Sequence, residues 1–186
     1  IYGVLMYVEG FIQPLLYGMC DSLQPAVGYN WGARRLDRVK AIEKCCFTAS
    51  AVVSVLAAAI MLAFPAQLCS LFIQELDQSF LTTAAAALQL FSLTYITRWF
   101  SFATQSFMIA VDKPLPASII SVSTALIFPV ILLLALWPFK LTGLWLNSAV
   151  TAVLAGVLAV IVMLKFKKEF RRLKMQNAQN AQQANE

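Results

Sequence analysis

Glu9 and Arg98 stand inside runs of apolar residues long enough to cross a bilayer, and that position is what makes them chemically interesting. A charged side chain at such depth costs about 2.5–3.5 kcal/mol on insertion scales, so it marks an ion or substrate path by default. Placed on a helix, Glu9, Gln13, Tyr17, Asp21 and Gln24 fall within an arc of about 120°. Thr94, Arg98, Ser101 and Gln105 fall within about 60° of one another. Lipid does not accept such stripes, so each must face a partner helix or an aqueous cavity. Glu9 is the one acidic residue deep in any span, and a Glu9–Arg98 ion pair is therefore expected, unless a segment outside this chain supplies the carboxylate. The candidate substrate- or ion-binding residues are Glu9, Gln13, Gln24, Asn30, Arg98 and Gln105. Helix–helix hydrogen bonding, at about 0.6 kcal/mol per bond, would account for the same stripes without any ligand. Asp21 lies nearer a helix end, where water reaches it.

The elements that must position these groups are helices. The chain is 60% hydrophobic and only 12% charged, about half the charge of an average soluble domain. Its mean hydropathy is +0.74. Five spans can be drawn: about Ile1–Ala26, Ala41–Phe64, Leu81–Val111, Ala117–Leu136 and Leu141–Phe166. The fold class is all-α, a polytopic transmembrane bundle with short connections. Pro14 and Pro25 should kink or loosen the first span. Leu68, Leu71, Phe72 and Leu76, interleaved with Gln74, Glu75, Asp77 and Gln78, suggest a short amphipathic helix on the membrane surface within Pro65–Phe80.

Basic residues set the orientation. Arg34, Arg35, Arg38, Lys40, Lys44, Lys113, Lys165, Lys167, Lys168, Arg171, Arg172 and Lys174 share one side, and Lys140 alone lies on the other. The Arg34–Lys44 loop, the Asp112–Pro116 turn and the C-terminus are thus expected in the cytoplasm of a multi-pass inner-membrane protein. The Lys165–Lys174 cluster reads as a stop-transfer anchor, with specific lipid recognition as the alternative. Met175–Glu186 is rich in Gln, Asn and Ala, and residues 169–186 are expected to form a disordered polar tail after an ordered unit at 1–168.

Several function classes drop out. The net charge of +5 hugs the apolar spans, which makes it a topology signal and not a nucleic-acid footprint. The sequence has no His, no Gly-rich phosphate loop and no nucleophile with a base, so neither an enzyme nor a cofactor is expected. Cys20, Cys45, Cys46 and Cys69 have neither metal nor disulfide spacing and read as small packing residues. Ser118, Ser121, Ser123 and Thr124 in the fourth span, and Thr142, Asn147, Ser148 and Thr151 in the fifth, also read as packing, with hydroxyls returned to their own backbone. The chain opens inside an apolar run without a signal-peptide pattern, and it is expected to be the C-terminal piece of a longer protein.

Gln24-Pro25, Gly28-Tyr29-Asn30-Trp31-Gly32-Ala33 and Arg38-Val39 together resemble the second-half signature of the multidrug and toxic compound extrusion (MATE) transporters. Leu71-Phe72-Ile73, the Lys113-Pro114 turn and Leu144-Trp145 are similar to that family's outer segment, its turn and its approach to the last helix. The resemblance covers Ile1 to about Lys168 and is strongest to the MepA-type bacterial branch. It implies that the five spans are helices 8–12 of a twelve-helix, two-lobe transporter. It further implies a secondary active antiporter that exports cationic or amphipathic drug-like compounds in exchange for Na⁺ or H⁺, by alternating access against an N-terminal lobe outside this chain.

Three departures stand out against that family. Leu81–Val111 has no acidic residue where some members hold the coupling cation. Asp112 replaces a usual Gly, and Thr124 stands where many relatives carry Arg. Two other readings remain at this stage: a flippase of the same superfamily for lipid-linked oligosaccharides or peptidoglycan precursors, and an inactive truncated membrane fragment.

Overall fold

The computed structural model describes residues 2–72 and 78–183, and among these every regular element is helical. In chain order they are α1 (Tyr2–Asp21), α2 (Leu23–Gly32), α3 (Leu36–Ala63), α4 (Pro65–Phe72), α5 (Gln78–Ala110) and α6 (Pro114–Val122), then a π-helical segment (Ser123–Ile127), α7 (Phe128–Ala135), a short 3₁₀ turn (Trp137–Phe139) and α8 (Lys140–Gln183). The five expected spans correspond to α1–α2, α3, α5, α6–α7 and α8. Leu36–Ala63, Pro114–Ala135 and Leu146–Asn177 are long and apolar enough to cross a membrane by composition alone. α1 and α5 are the helices that carry the polar stripes.

α5 is the central post. It packs most extensively on α8 and α3 and also touches α1, α2, α4 and α6. Small residues let α8 approach closely: Ala152, Ala155 and Ala159 are buried, and Gly156 lies against Thr97 of α5. One buried cluster gathers Leu5, Leu16, Met61, Leu88, Phe91 and Tyr95, and a second gathers Val27, Val39, Phe107, Met108, Met163 and Phe166. The outer faces of α3, α7 and α8 expose Val55, Leu56, Ile60, Ile131, Leu134, Val157 and Ile161. Rows of exposed apolar side chains on helices of this length are the surface a bilayer covers.

The helix breaks follow from local chemistry. Pro25 cannot donate to the Asp21 carbonyl, and the first span divides between α1 and α2 at that carbonyl. Pro14 stays within α1. α2 and α5 end alike. Arg35 N–H bonds Asn30 O at 2.9 Å and Arg34 N–H bonds Trp31 O at 3.0 Å. Lys113 N–H bonds Met108 O at 2.8 Å and Asp112 N–H bonds Ile109 O at 3.1 Å. Both are Schellman caps, and both place a non-glycine residue in the left-handed region, Arg34 at φ 55° and Asp112 at φ 59°. α4 accounts for the first part of the expected surface helix, with Cys69 buried and Leu68 packed on the first cluster. The remainder of that expectation, residues 73–77, lies outside the described residues.

The last helix is longer than the expected fifth span. α8 runs on to Gln183, with no Gly or Pro after Phe166 to stop it. Extending an existing helix avoids the nucleation cost, and the tail's Gln, Ala, Lys, Arg and Met are adequate helix formers. Trp31 stacks on Phe170 at 6.3 Å, Lys174 meets Asp37 at 2.7 Å, and Arg34 donates to Asn177 at 3.3 Å, so α8 is tied to the α2–α3 turn beyond the apolar span. The four cysteines are unbridged. Cys20 and Cys46 sit buried around Ser50, Cys20 Sγ lying 3.4 Å from its hydroxyl.

Candidate functional site

α1 and α5 pack so that their polar stripes meet. Arg98 Nη1 donates to Glu9 Oε1 at 2.6 Å, and the two side chains retain 19% and 13% exposure. The expected pair forms within the chain itself. The guanidinium also rests over the Phe102 ring, 5.3 Å from its centroid, and Phe102 stacks on Tyr17 at 4.2 Å. Arg98 is thereby held by a carboxylate on one side and a π face on another.

The ion pair forms one wall of a cavity of about 260 Å³. Met6 and Glu9 of α1, Thr94 and Arg98 of α5, Thr124 of the π segment, Pro129 of α7, and Asn147, Ser148 and Thr151 of α8 line it. Asn147 Nδ2 donates to the Pro129 carbonyl at 3.2 Å, and its Oδ1 accepts from Thr151 Oγ1 at 3.2 Å. Thr94 Oγ1 is buried here without a hydrogen-bond partner among the described residues.

Pro129 explains the irregular wall. Phe128 N–H bonds Ser123 O, one residue further back than in an α-helix. Pro129 has no N–H with which to reach Thr124 O or Ala125 O. The Thr124 carbonyl therefore lacks the amides that would ordinarily satisfy it, at a level where Thr124 lines the cavity. Irregular backbone of this kind is tolerated at membrane depth where it borders a cavity or packed protein.

Glu9 and Arg98 are the two sequence candidates that the fold brings into this cavity. Gln24 instead donates to Asp21 at 2.9 Å, and Asp21 accepts a second bond from Ser106 at 2.5 Å, which makes a separate polar knot between α1, α2 and α5. Gln13 lies beside the Tyr17 hydroxyl. Asn30 is buried and returns its amide to Ala26 O at 2.8 Å, leaving Oδ1 without a partner among the described residues. Gln105 is half-buried on α5, away from the cavity lining.

Thr124, Asn147, Ser148 and Thr151, which read from the sequence as packing residues, all line the cavity. Thr124 does return its hydroxyl to Ile120 O at 2.7 Å, as anticipated for such residues. The legible signal was Pro129 five residues after Thr124, because a proline inside an apolar span frees carbonyls that need another partner.

Comparison with known proteins comes to the same architecture. No curated protein matches the chain in sequence. Among solved structures, one described as the inward-facing conformation of a multidrug resistance MATE family transporter of the MOP superfamily superposes on 94% of this chain with a TM-score of 0.72. Identity is 15%, and the chain spans 39% of that protein's length. The similarity therefore establishes the fold. The MatE family profile matches residues 1–134, well over half of the sequence. On that match, and with a helical membrane-spanning architecture to go with it, the chain belongs to the MatE family of transporters.

Proposed function

We propose that this chain forms the C-terminal lobe of a secondary active multidrug antiporter, most similar to the MepA-type branch, which exports cationic or amphipathic compounds in exchange for Na⁺ or H⁺. The observation that carries this reading is the Glu9–Arg98 pair on the wall of a cavity that Thr94, Thr124, Asn147, Ser148 and Thr151 share with the apolar Met6, Pro129 and Ala152. Such a pair is a two-state element. A proton or cation arriving at Glu9 competes with the guanidinium for the carboxylate, and its departure restores the pair. Coupling then amounts to exchange between Arg98 and the incoming positive charge, while an N-terminal lobe closes the other side of the path. Rocking of one repeat against another around a central site is the general form of such transport.

In this reading the basic ends of α2, α5 and α8 face the cytoplasm, following the positive-inside rule, and the protein resides in the inner membrane. A flippase for lipid-linked sugars is less well supported. Its diphosphate substrate calls for free cations, whereas the cavity's one guanidinium is already neutralised by Glu9.

The test is drug accumulation in an efflux-deficient bacterium expressing the protein at its natural full length, with Na⁺ and H⁺ gradients collapsed separately. Reduced accumulation that disappears with one gradient, and is weakened by Glu9→Gln at normal membrane expression, is the expected result. Unchanged accumulation of several cationic dyes would overturn the antiporter reading and favour lipid-linked substrates.

A further inference from the structure

At the basic end of the bundle, α3 and α8 flank α5, and Phe107 of α5 fills the space between them. Its ring lies edge-on to Phe47 at 6.4 Å and to Phe166 at 5.4 Å. Outside this aromatic seam a groove of about 350 Å³ remains open. Phe47, Met163, Phe166 and Phe170 make its apolar floor, while Lys40 and Lys44 from one helix and Lys167 and Arg171 from the other make its rim. The spacing is helical on both sides, four residues within each basic pair, so each pair sits on one face one turn apart.

The four rim cations are exposed, and none makes an ion pair among the described residues. By contrast Lys113 and Lys174, nearby at the same end, already have carboxylates in Glu169 and Asp37. Glu43, half-buried, is the one acidic group in the groove, which leaves four positive charges against one negative. Further along, on the groove side of the same two helices by helical periodicity, Val55, Leu62, Val153 and Val160 are exposed apolar surface. Cations above an aromatic floor that runs on into acyl-contacting helix match a molecule with a negative head and a hydrocarbon tail. A soluble anion would use the rim and leave the floor idle.

We propose that this groove between α3 and α8 binds an anionic phospholipid of the adjacent leaflet, its phosphate held by Lys40, Lys44, Lys167 and Arg171 and its acyl chains laid on Phe47 and Phe170. The site is distinct from the Glu9–Arg98 cavity and rests only on the chain being embedded in a membrane.

The protein, purified at its natural full length in a neutral detergent, is titrated with dioctanoyl phosphatidylglycerol, dioctanoyl phosphatidylcholine and inorganic phosphate. The phosphatidylglycerol is expected to bind tighter than the phosphatidylcholine by roughly five-fold for each cation engaged. Lys167→Ala/Arg171→Ala should lose most of that preference, and Glu43→Gln should strengthen it. Lys168→Ala/Arg172→Ala removes the same charge from the exposed side of α8 outside the groove and should leave the preference intact. An equal loss in that second pair would show diffuse electrostatics and overturn the site. Inorganic phosphate displacing phosphatidylglycerol at comparable concentration, or equal binding of the two lipids, would overturn it as well. Because binding is read without any transport assay, failure here leaves the antiporter reading standing.

Discussion

Glu9 and Arg98, 89 residues apart in sequence, meet at 2.6 Å across the contact between α1 and α5. With side-chain exposures of 13% and 19%, neither charge is free in water. Removing one partner strands the other in a poorly solvated site, which costs more than the pair is worth. Glu9→Gln/Arg98→Gln should therefore be less damaging than the sum of the single changes, with a coupling energy of about 1–3 kcal/mol. Thermal unfolding of the four proteins in detergent measures it, and strict additivity would argue against a coupled pair.

Asp112 holds φ 59° at the Schellman cap of α5. A side chain in the left-handed region costs roughly 1–2 kcal/mol, part of which the short Asp side chain recovers. Asp112→Gly is expected to raise the midpoint of unfolding, and Asp112→Val to lower it. The two shifts having the same sign would contradict this account of the turn.

Pro129 keeps the π segment irregular by withholding an N–H. Pro129→Ala restores that donor, allows the Ser123–Ile127 stretch to tighten toward an α-helix, and should shift Thr124 relative to Asn147. A cysteine placed at 124 in a background lacking the native cysteines should react with a small charged thiol reagent. Its rate is expected to fall several-fold when Pro129→Ala is added. An unchanged rate would mean that proline does not shape the cavity wall.

Phe170 and Lys174 both attach the end of α8 to the α2–α3 turn, through Trp31 and Asp37 respectively. Physical chemistry ranks the two contacts differently. Asp37 and Lys174 are highly exposed, so Lys174→Ala should be indistinguishable from wild type in stability at ordinary salt. Phe170 is half-buried against Trp31 and Phe166, and Phe170→Ala should cost about 1–2 kcal/mol. Protease susceptibility beyond Lys168 reads the same ordering, and a larger effect from Lys174→Ala would reverse it.

What the sequence determined by itself was whatever depends on one helix at a time. Length and apolarity set the spans, Pro25 set the division of the first one, and periodicity put Glu9 on one face and Arg98 on another. Their meeting could be anticipated because two opposite charges inside apolar runs leave few alternatives. Which further groups would join them was decided only by tertiary structure. The rotation of α8 against α5 depends on where Ala152, Ala155, Ala159 and Gly156 allow close approach, and that rotation carries Asn147, Ser148 and Thr151 to the ion pair. Gln24 and Gln105 share the period of the lining residues, yet Gln24 sits beyond the break on α2 and Gln105 about two turns past Arg98 on α5, which places both elsewhere. The end of α8 tells the same story in reverse. A polar run that cannot bury a core of its own looks disordered in isolation, but it needs no nucleus when it extends a helix already anchored by Phe166 and Phe170 against Trp31. Periodicity fixes a face within a helix, whereas the partner of that face is settled by side-chain volumes on two helices at once.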